Sequence, residues 1–162
     1  MPEIANDATA IQQAFNLLPH QEGGYYRRTY TSQITDGAER VAATAIYYLL
    51  TTTEPIGHWH KNRSDIIHCF HIGSPLTYWL IDPQGRLSQC QLGTDWTQGQ
   101  QLQLQVPGGY WKATELEQGD YALISEVVVP GFDDRDMVFA KGQDLKPSLS
   151  PADWDQMKHL IK

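Results

Sequence analysis

The chain reads as an all-β fold, an antiparallel sandwich or barrel of roughly ten short strands with a short helix at each end. Three observations predict it. First, thirteen Gly and nine Pro punctuate the 162 residues, a density that a helical bundle tolerates poorly because each interior Gly or Pro costs roughly 1–3 kcal/mol. Second, the runs between them are short, rich in β-branched and aromatic residues, and bounded by turn chemistry. Third, helical periodicity is confined to the two ends.

From Ala8 to Leu18 the apolar residues Ile11, Phe15 and Leu18 recur at one helical face, and Pro19 stops the run. The candidate strands are Tyr25–Thr31, Ala43–Thr51, His58–His60, Ile66–His71, Leu76–Ile81, Leu87–Leu92, Leu102–Val106, Trp111–Leu116, Tyr121–Val129 and Met137–Ala140. Asp82-Pro83-Gln84-Gly85, Pro107-Gly108-Gly109 and Gln118-Gly119-Asp120 separate them as turns, with Gly supplying positive φ and Pro a fixed φ. Leu76–Ile81 is apolar on both faces, which suits two packed sheets. In the Gln-rich stretch Gln98–Gln105, alternation with Leu102, Leu104 and Val106 predicts a half-exposed strand. Ser150-Pro151-Ala152-Asp153 starts the last helix: Ser is the N-cap, Pro the first helical residue and Asp an acid in the first turn. Trp154, Met157, Leu160 and Ile161 form its apolar side. The expected organisation is one domain, 1–162, made of an N-terminal helix (1–19), a barrel (20–145) and a C-terminal helix (150–162).

A chain of this length buries roughly two-thirds of its unfolded surface and needs no disulfide or metal to fold. Twelve Lys+Arg against nineteen Asp+Glu, a formal charge of −7, disfavour a nucleic-acid partner, whose phosphates demand a basic face. Cys69 and Cys90 have no CxxC spacing and fit free thiols in a reducing compartment. The Met1–Ile4 start lacks a basic and apolar leader, and no apolar run approaches the roughly 18 residues that span a bilayer. The expectation is a soluble cytoplasmic protein with a small-molecule ligand, no nucleic acid and no membrane.

Histidine carries the most specific chemistry. Four of the six, His58, His60, His68 and His71, fall within fourteen residues. On a strand, alternation places His58 and His60 on one face, where two imidazoles can share a metal or a substrate. By itself an HxH pair more often simply sits on a sheet surface. Gly57 before it, Gly73 after it, and then Pro107-Gly108-Gly109 with Lys112 extend the pattern.

With these residues the chain resembles the cupin superfamily, small double-stranded β-helix (jelly-roll-like) barrels whose first motif reads HxH, Glu, Gly and whose second reads PxG, His. More narrowly it is similar to a single-domain subfamily designated domain of unknown function 985. The matching segments are Pro19–Arg27, Arg40 with Thr44–Leu50, His58–Lys61 with Ser64-Asp65, Pro107–Trp111 and Pro130–Asp133. The resemblance implies a barrel with an open mouth, a homodimer, and a fold shared with dTDP-sugar epimerases; it supplies no reaction.

Metal-binding cupins hold a divalent cation with three His and one Glu. Here the Glu position is Ile66 and the last His position is Lys112. A cationic side chain in place of a ligand repels a metal, so no cofactor is expected. A metal, if held, would use a rearranged set of His58, His60 and His68. Without a metal the pocket becomes a polar ligand site. The resemblance points His58, His60 and Lys112 inward, makes Arg27 and Tyr47 their neighbours, and leaves His68 as a pocket residue. Such a set suits an anionic or polyhydroxylated metabolite. Arg27 has an alternative as an ion-pair partner of Glu22 or of an aspartate in 133–136, and Tyr47 as a core residue.

Other candidates carry less. Gly23-Gly24 and Gly108-Gly109 lack phosphate-loop spacing. Asp133, Asp134 and Asp136 lack the spacing of a calcium loop. Ser64 and Ser125 have no nucleophile elbow, and Cys69 points away from His68. Three function classes follow: a metal-independent epimerase or isomerase with His58 or His60 as base and a tyrosine as acid, a non-catalytic small-molecule binding protein, and a metal-dependent oxygenase or isomerase using His58, His60 and His68.

Overall fold

Alternation along strands builds two antiparallel sheets in a computed structural model that describes residues 7–35, 37 and 39–162. The Met1–Ile4 segment considered above lies outside the described residues. The strands are β1 (Leu18–Pro19), β2 (Tyr25–Thr31), β3 (Thr44–Thr51), β4 (Ile56–Lys61), β5 (Asp65–Gly73), β6 (Leu76–Ile81), β7 (Leu87–Leu92), β8 (Gln103–Val106), β9 (Trp111–Glu115), β10 (Tyr121–Val129) and β11 (Val138–Phe139). One sheet runs β1-β2-β3-β10-β5-β8 and the other β11-β4-β9-β6-β7. The sequence-stretch expectations for strands all meet a strand here, and β1 is an addition.

The two sheets face each other. Tyr48, Leu50, Leu104, Val106, Ala122 and Ile124 from one sheet pack on Leu76, Tyr78, Leu80, Leu92 and Leu116 from the other side. Strand β6 is buried on both faces. Its other face, with Trp59, Trp79 and Ala113, lies under Ala140, Leu145, Met157 and Leu160 from the C-terminal segment. That segment contains α2 (Gly142–Leu145), α3 (Pro151–Met157) and a 3-10 turn at Lys158–Leu160. Ser150 caps α3 as expected, its Oγ accepting the Asp153 N–H at 3.1 Å.

The N-terminal helix α1 (Ala8–Ala14) is shorter than the periodicity suggests. Asn16 adopts φ 51°, a left-handed conformation that Asn accepts more readily than most residues and that ends a helix. The shift puts Leu17 in the buried position and leaves Leu18, expected on the helix face, 66% exposed on β1. Ile11 and Leu17 instead cover Leu49 and Leu123 on the outer side of the six-stranded sheet.

Candidate functional site

One cavity, of about 650 Å³, opens between the β2/β3/β10/β5 wall and the loops at 19–22 and 132–134. Its size is that of a small-metabolite site, roughly 300–1,000 Å³. Its walls include His20, Glu22, Tyr26, Arg28, Asn62, Ile66, Glu126 and Phe132.

The loop that carries His20 and Glu22 is fixed by backbone contacts. The Glu22 carbonyl accepts the His58 N–H at 2.7 Å, and the Gly23 carbonyl accepts the Tyr48 hydroxyl at 2.9 Å. Gly23 has φ +97°, and a Cβ there would collide with the Ile56 carbonyl oxygen, so only glycine lets this loop lie against β4.

Beneath the cavity, four buried polar side chains face each other across the sandwich. His60 is the cross-strand partner of Lys112 in one sheet, and His68 that of Glu126 in the other. Lys112 Nζ spans the gap, 3.4 Å from His68 Nε2 and 3.9 Å from Glu126 Oε2. His68 Nδ1 lies 3.3 Å from Glu126 Oε1 and 3.2 Å from the Tyr78 hydroxyl. One protonation scheme satisfies this set: Lys112 donates to Nε2 of a neutral His68, whose Nδ1–H donates to an ionised Glu126. Burial, and then the Lys112 charge, lower the His68 pKa to about 4. Burial alone would raise Glu126, but Lys112 and His68 outweigh it and pull its carboxyl well below the usual range.

The second set obeys a different logic. His60 Nδ1 is 2.6 Å from the His58 carbonyl, which can only accept, so Nδ1 carries the proton. Burial, then Lys112, lower the His60 pKa to about 3, so the ring is neutral near pH 7 and its Nε2 is a bare lone pair. That lone pair faces Glu22 Oε1 at 3.2 Å. His60 Nε2 has no hydrogen-bond partner among the described residues, and an ionised carboxylate beside its lone pair would repel it. Burial raises the Glu22 pKa, against the opposing pull of His20 and Lys112, which favours the protonated carboxyl. His20 is also neutral, its pKa lowered by burial against the pull of Glu22. Its Nδ1 accepts the Glu22 backbone N–H at 3.3 Å, which leaves the proton on Nε2.

The HxH expectation needs correction. A β-bulge in β4 between Gly57 and His60 breaks the alternation, so His58 and His60 do not converge. His58 Nδ1 instead donates to the Leu160 carbonyl at 3.1 Å, tying β4 to the C-terminal turn. Arg27 and Tyr47 are corrected too. They are cross-strand partners on the outer face of the six-stranded sheet. Tyr47 packs on Phe15 and His71 beneath α1, and Arg27 is exposed. Their neighbours Arg28 and Tyr48 take the inward positions, because a one-residue step along a strand reverses the face. Arg27 pairs with neither Glu22 nor the 133–136 loop; Arg40 pairs with Asp136 and Asp133 there, and Arg135 with Asp133. Lys112 is inside, but it meets only a void of about 10 Å³ rather than the cavity.

A family model described as cupin superfamily (DUF985) matches residues 9–140. The chain belongs to the cupin superfamily. This cupin is 37% identical to the uncharacterised protein YML079W of Saccharomyces cerevisiae, over 99% of this chain and 83% of the yeast protein. Among solved structures it is similar to protein SO0799 of Shewanella oneidensis (TM-score 0.87, 30% identity, 97% of this chain and 98% of that one). It is also similar to a hypothetical protein of Leishmania major (TM-score 0.84, 31% identity, covering 96% and 99%). An oxalate decarboxylase of Bacillus subtilis shares the fold alone, with TM-score 0.52 and 20% identity over 73% of this chain and 28% of that one.

Cupins often hold a metal, and the side chains of this cupin do not fit one. His58, His60 and His68 are each turned to different partners, and Lys112 Nζ occupies the space that His68 Nε2 and Glu126 face. Among the described residues no three His, Cys, Asp or Glu side chains gather as metal ligands. Cys69 and Cys90 are free thiols. Among the described residues no helix is long and apolar enough to cross a membrane.

Sequence reasoning missed Glu126, Asn62, Arg28 and the roles of His20 and Glu22. One of these had a signal: Glu126 is the single charged residue in Tyr121–Val129, at the inward parity of Ala122, Ile124 and Val128. A carboxylate buried there requires a cationic partner.

Proposed function

We propose that this cupin binds a small polar metabolite in the 650 Å³ cavity and catalyses a metal-independent proton transfer on it, of the epimerase or isomerase class. The observation that carries this reading is the His60 Nε2–Glu22 Oε1 approach of 3.2 Å with His60 Nδ1 already committed, which supports a single proton held at the cavity wall. Glu22, which lines the cavity, is the candidate catalytic residue. Its ionised form takes the proton from the carbon next to a ligand carbonyl, leaving an enolate and the carboxylic acid, and that acid returns a proton to carbon as the carbonyl re-forms, so both transfers balance on this one group. His60 lies behind it as a positioning residue. Two carboxyl groups at one cavity with pKa values pushed apart are the recurring arrangement of acid–base sites. Glu126, held ionised, serves as a fixed acceptor for ligand hydroxyl groups. The reaction class itself rests on likeness to the sugar-modifying cupins, a fold-level argument.

The test is a panel of hydroxylated aldehydes, ketones and acids incubated in D₂O with wild type and Glu22→Gln. Deuterium entering a carbon-bound position with wild type, and a loss of roughly 10²–10⁴-fold in the variant, is the expected result. Binding without exchange would leave a non-catalytic binding protein, the second reading.

A further inference from the structure

Two groups at the cavity are not satisfied by the protein, and they lie at different depths. Asn62 is 8% exposed, lines the cavity, and its Oδ1 has no hydrogen-bond partner. A buried acceptor left bare costs on the order of 1–3 kcal/mol, so the position is built for a donor brought from outside. Beside it the ionised Glu126 also only accepts. The deep end is therefore complementary to hydroxyl groups.

At the lip, Arg28 lines the cavity with its guanidinium 5.9 Å from the centroid of Phe132. Among the described residues no carboxylate pairs with Arg28, whereas Arg40, Arg86 and Arg135 each have an aspartate partner. Next to Phe132, Asp133 is paired with Arg135 and Arg40, and Asp134 accepts from Gln21 Nε2 at 3.4 Å. These aspartates already have partners, which leaves Arg28 as the cavity-lining cation with no carboxylate of its own among the described residues. Lys112, expected to anchor an anion, is spent on His68 and Glu126.

We propose that the cavity takes a hydroxylated organic anion, with its hydroxyl groups on Asn62 and Glu126 and its carboxylate or phosphate on Arg28. This deepens the small-metabolite reading above and rests on it. Arg28 is then the residue that sets the charge preference of the site.

The test compares D-gluconate and D-glucose 6-phosphate with neutral sorbitol by isothermal titration calorimetry on the full chain. At least one anion should bind at least tenfold more tightly than sorbitol, and the advantage should shrink at high salt, as expected for a charge contact at the protein surface. Arg28→Gln should remove the advantage while leaving sorbitol unchanged, and Asn62→Leu should weaken all ligands alike. The tighter of the two anions identifies the group as carboxylate or phosphate. Sorbitol binding as tightly as both anions, or an anion advantage that survives in Arg28→Gln, overturns this assignment and spares the small-metabolite reading. No binding of any of the three at millimolar concentration overturns both.

Discussion

Glu22 and Glu126 line one cavity and both are buried, yet their surroundings move their pKa values in opposite directions. Glu126 sits on a central strand, where Lys112 and the Nδ1–H of His68 supply positive charge and a donor. Glu22 sits on a loop, where its nearest imidazole offers only a lone pair. Burial raises the pKa of either carboxyl, and the donors present decide the outcome. A buried acid whose charge is answered by the fold is held as a fixed acceptor, whereas one with a raised pKa at a cavity wall is available for proton transfer.

Removing the cation under Glu126 should have the largest effect. Lys112→Met leaves an unpaired buried carboxylate, which costs roughly 3–5 kcal/mol, or about 6–20 °C in Tm at this chain length. Adding Glu126→Gln should recover much of the loss. A Lys112→Met melting curve that overlays wild type would show that the pair is not ionised.

Glu22 should behave the other way. Its carboxyl has a raised pKa in the fold, so the unfolded chain ionises first and wild-type stability falls as pH rises from the ordinary carboxylate range through the raised value. Glu22→Gln keeps the shape and removes that loss. It should therefore equal or exceed wild type in Tm at pH 8 while losing proton exchange. A variant that is as active as wild type, or much less stable at pH 8, breaks the contrast.

The imidazoles give a smaller, graded effect. His60 and His68 have pKa values lowered to about 3 and about 4 from an ordinary 6.5. Their neutral forms contribute stability that is fully present above pH 6.5 and is lost as the pH falls through that value toward 4 and 3. The slope is at most about 1.4 kcal/mol per pH unit per ring. Urea titrations from pH 7 to pH 4 should show it, and His68→Gln should flatten it; an unchanged slope would mean that His68 is not held neutral. The smallest effect belongs to Arg27→Gln, which should move stability by no more than about 0.5 kcal/mol and leave gluconate binding untouched. Weakened binding in that variant would place the outer face of the sheet in the site.

The strands and the C-terminal cap were legible because they follow from local alternation, turn residues and a Ser-Pro-x-Asp start. The inward direction of His60 and Lys112 came from the resemblance to cupins, and both side chains are buried. Arg27 and Tyr47 were misplaced by one register step, which no composition argument resolves. His58 was misplaced because a bulge, set by pairing with β9, interrupts its strand. Glu22 escaped because its burial depends on contacts with β3 and β4 that are distant in sequence.

Carboxyl-carbon NMR titration of chain labelled at glutamate directly tests the opposite pKa shifts of the two carboxyl groups at this cavity. Glu22 should titrate above the ordinary carboxylate range, with its midpoint moved in His60→Gln, and Glu126 should stay ionised through the range in which other glutamates protonate. Ordinary midpoints for both, or Glu126 protonating before Glu22 on acidification, would contradict these shifts.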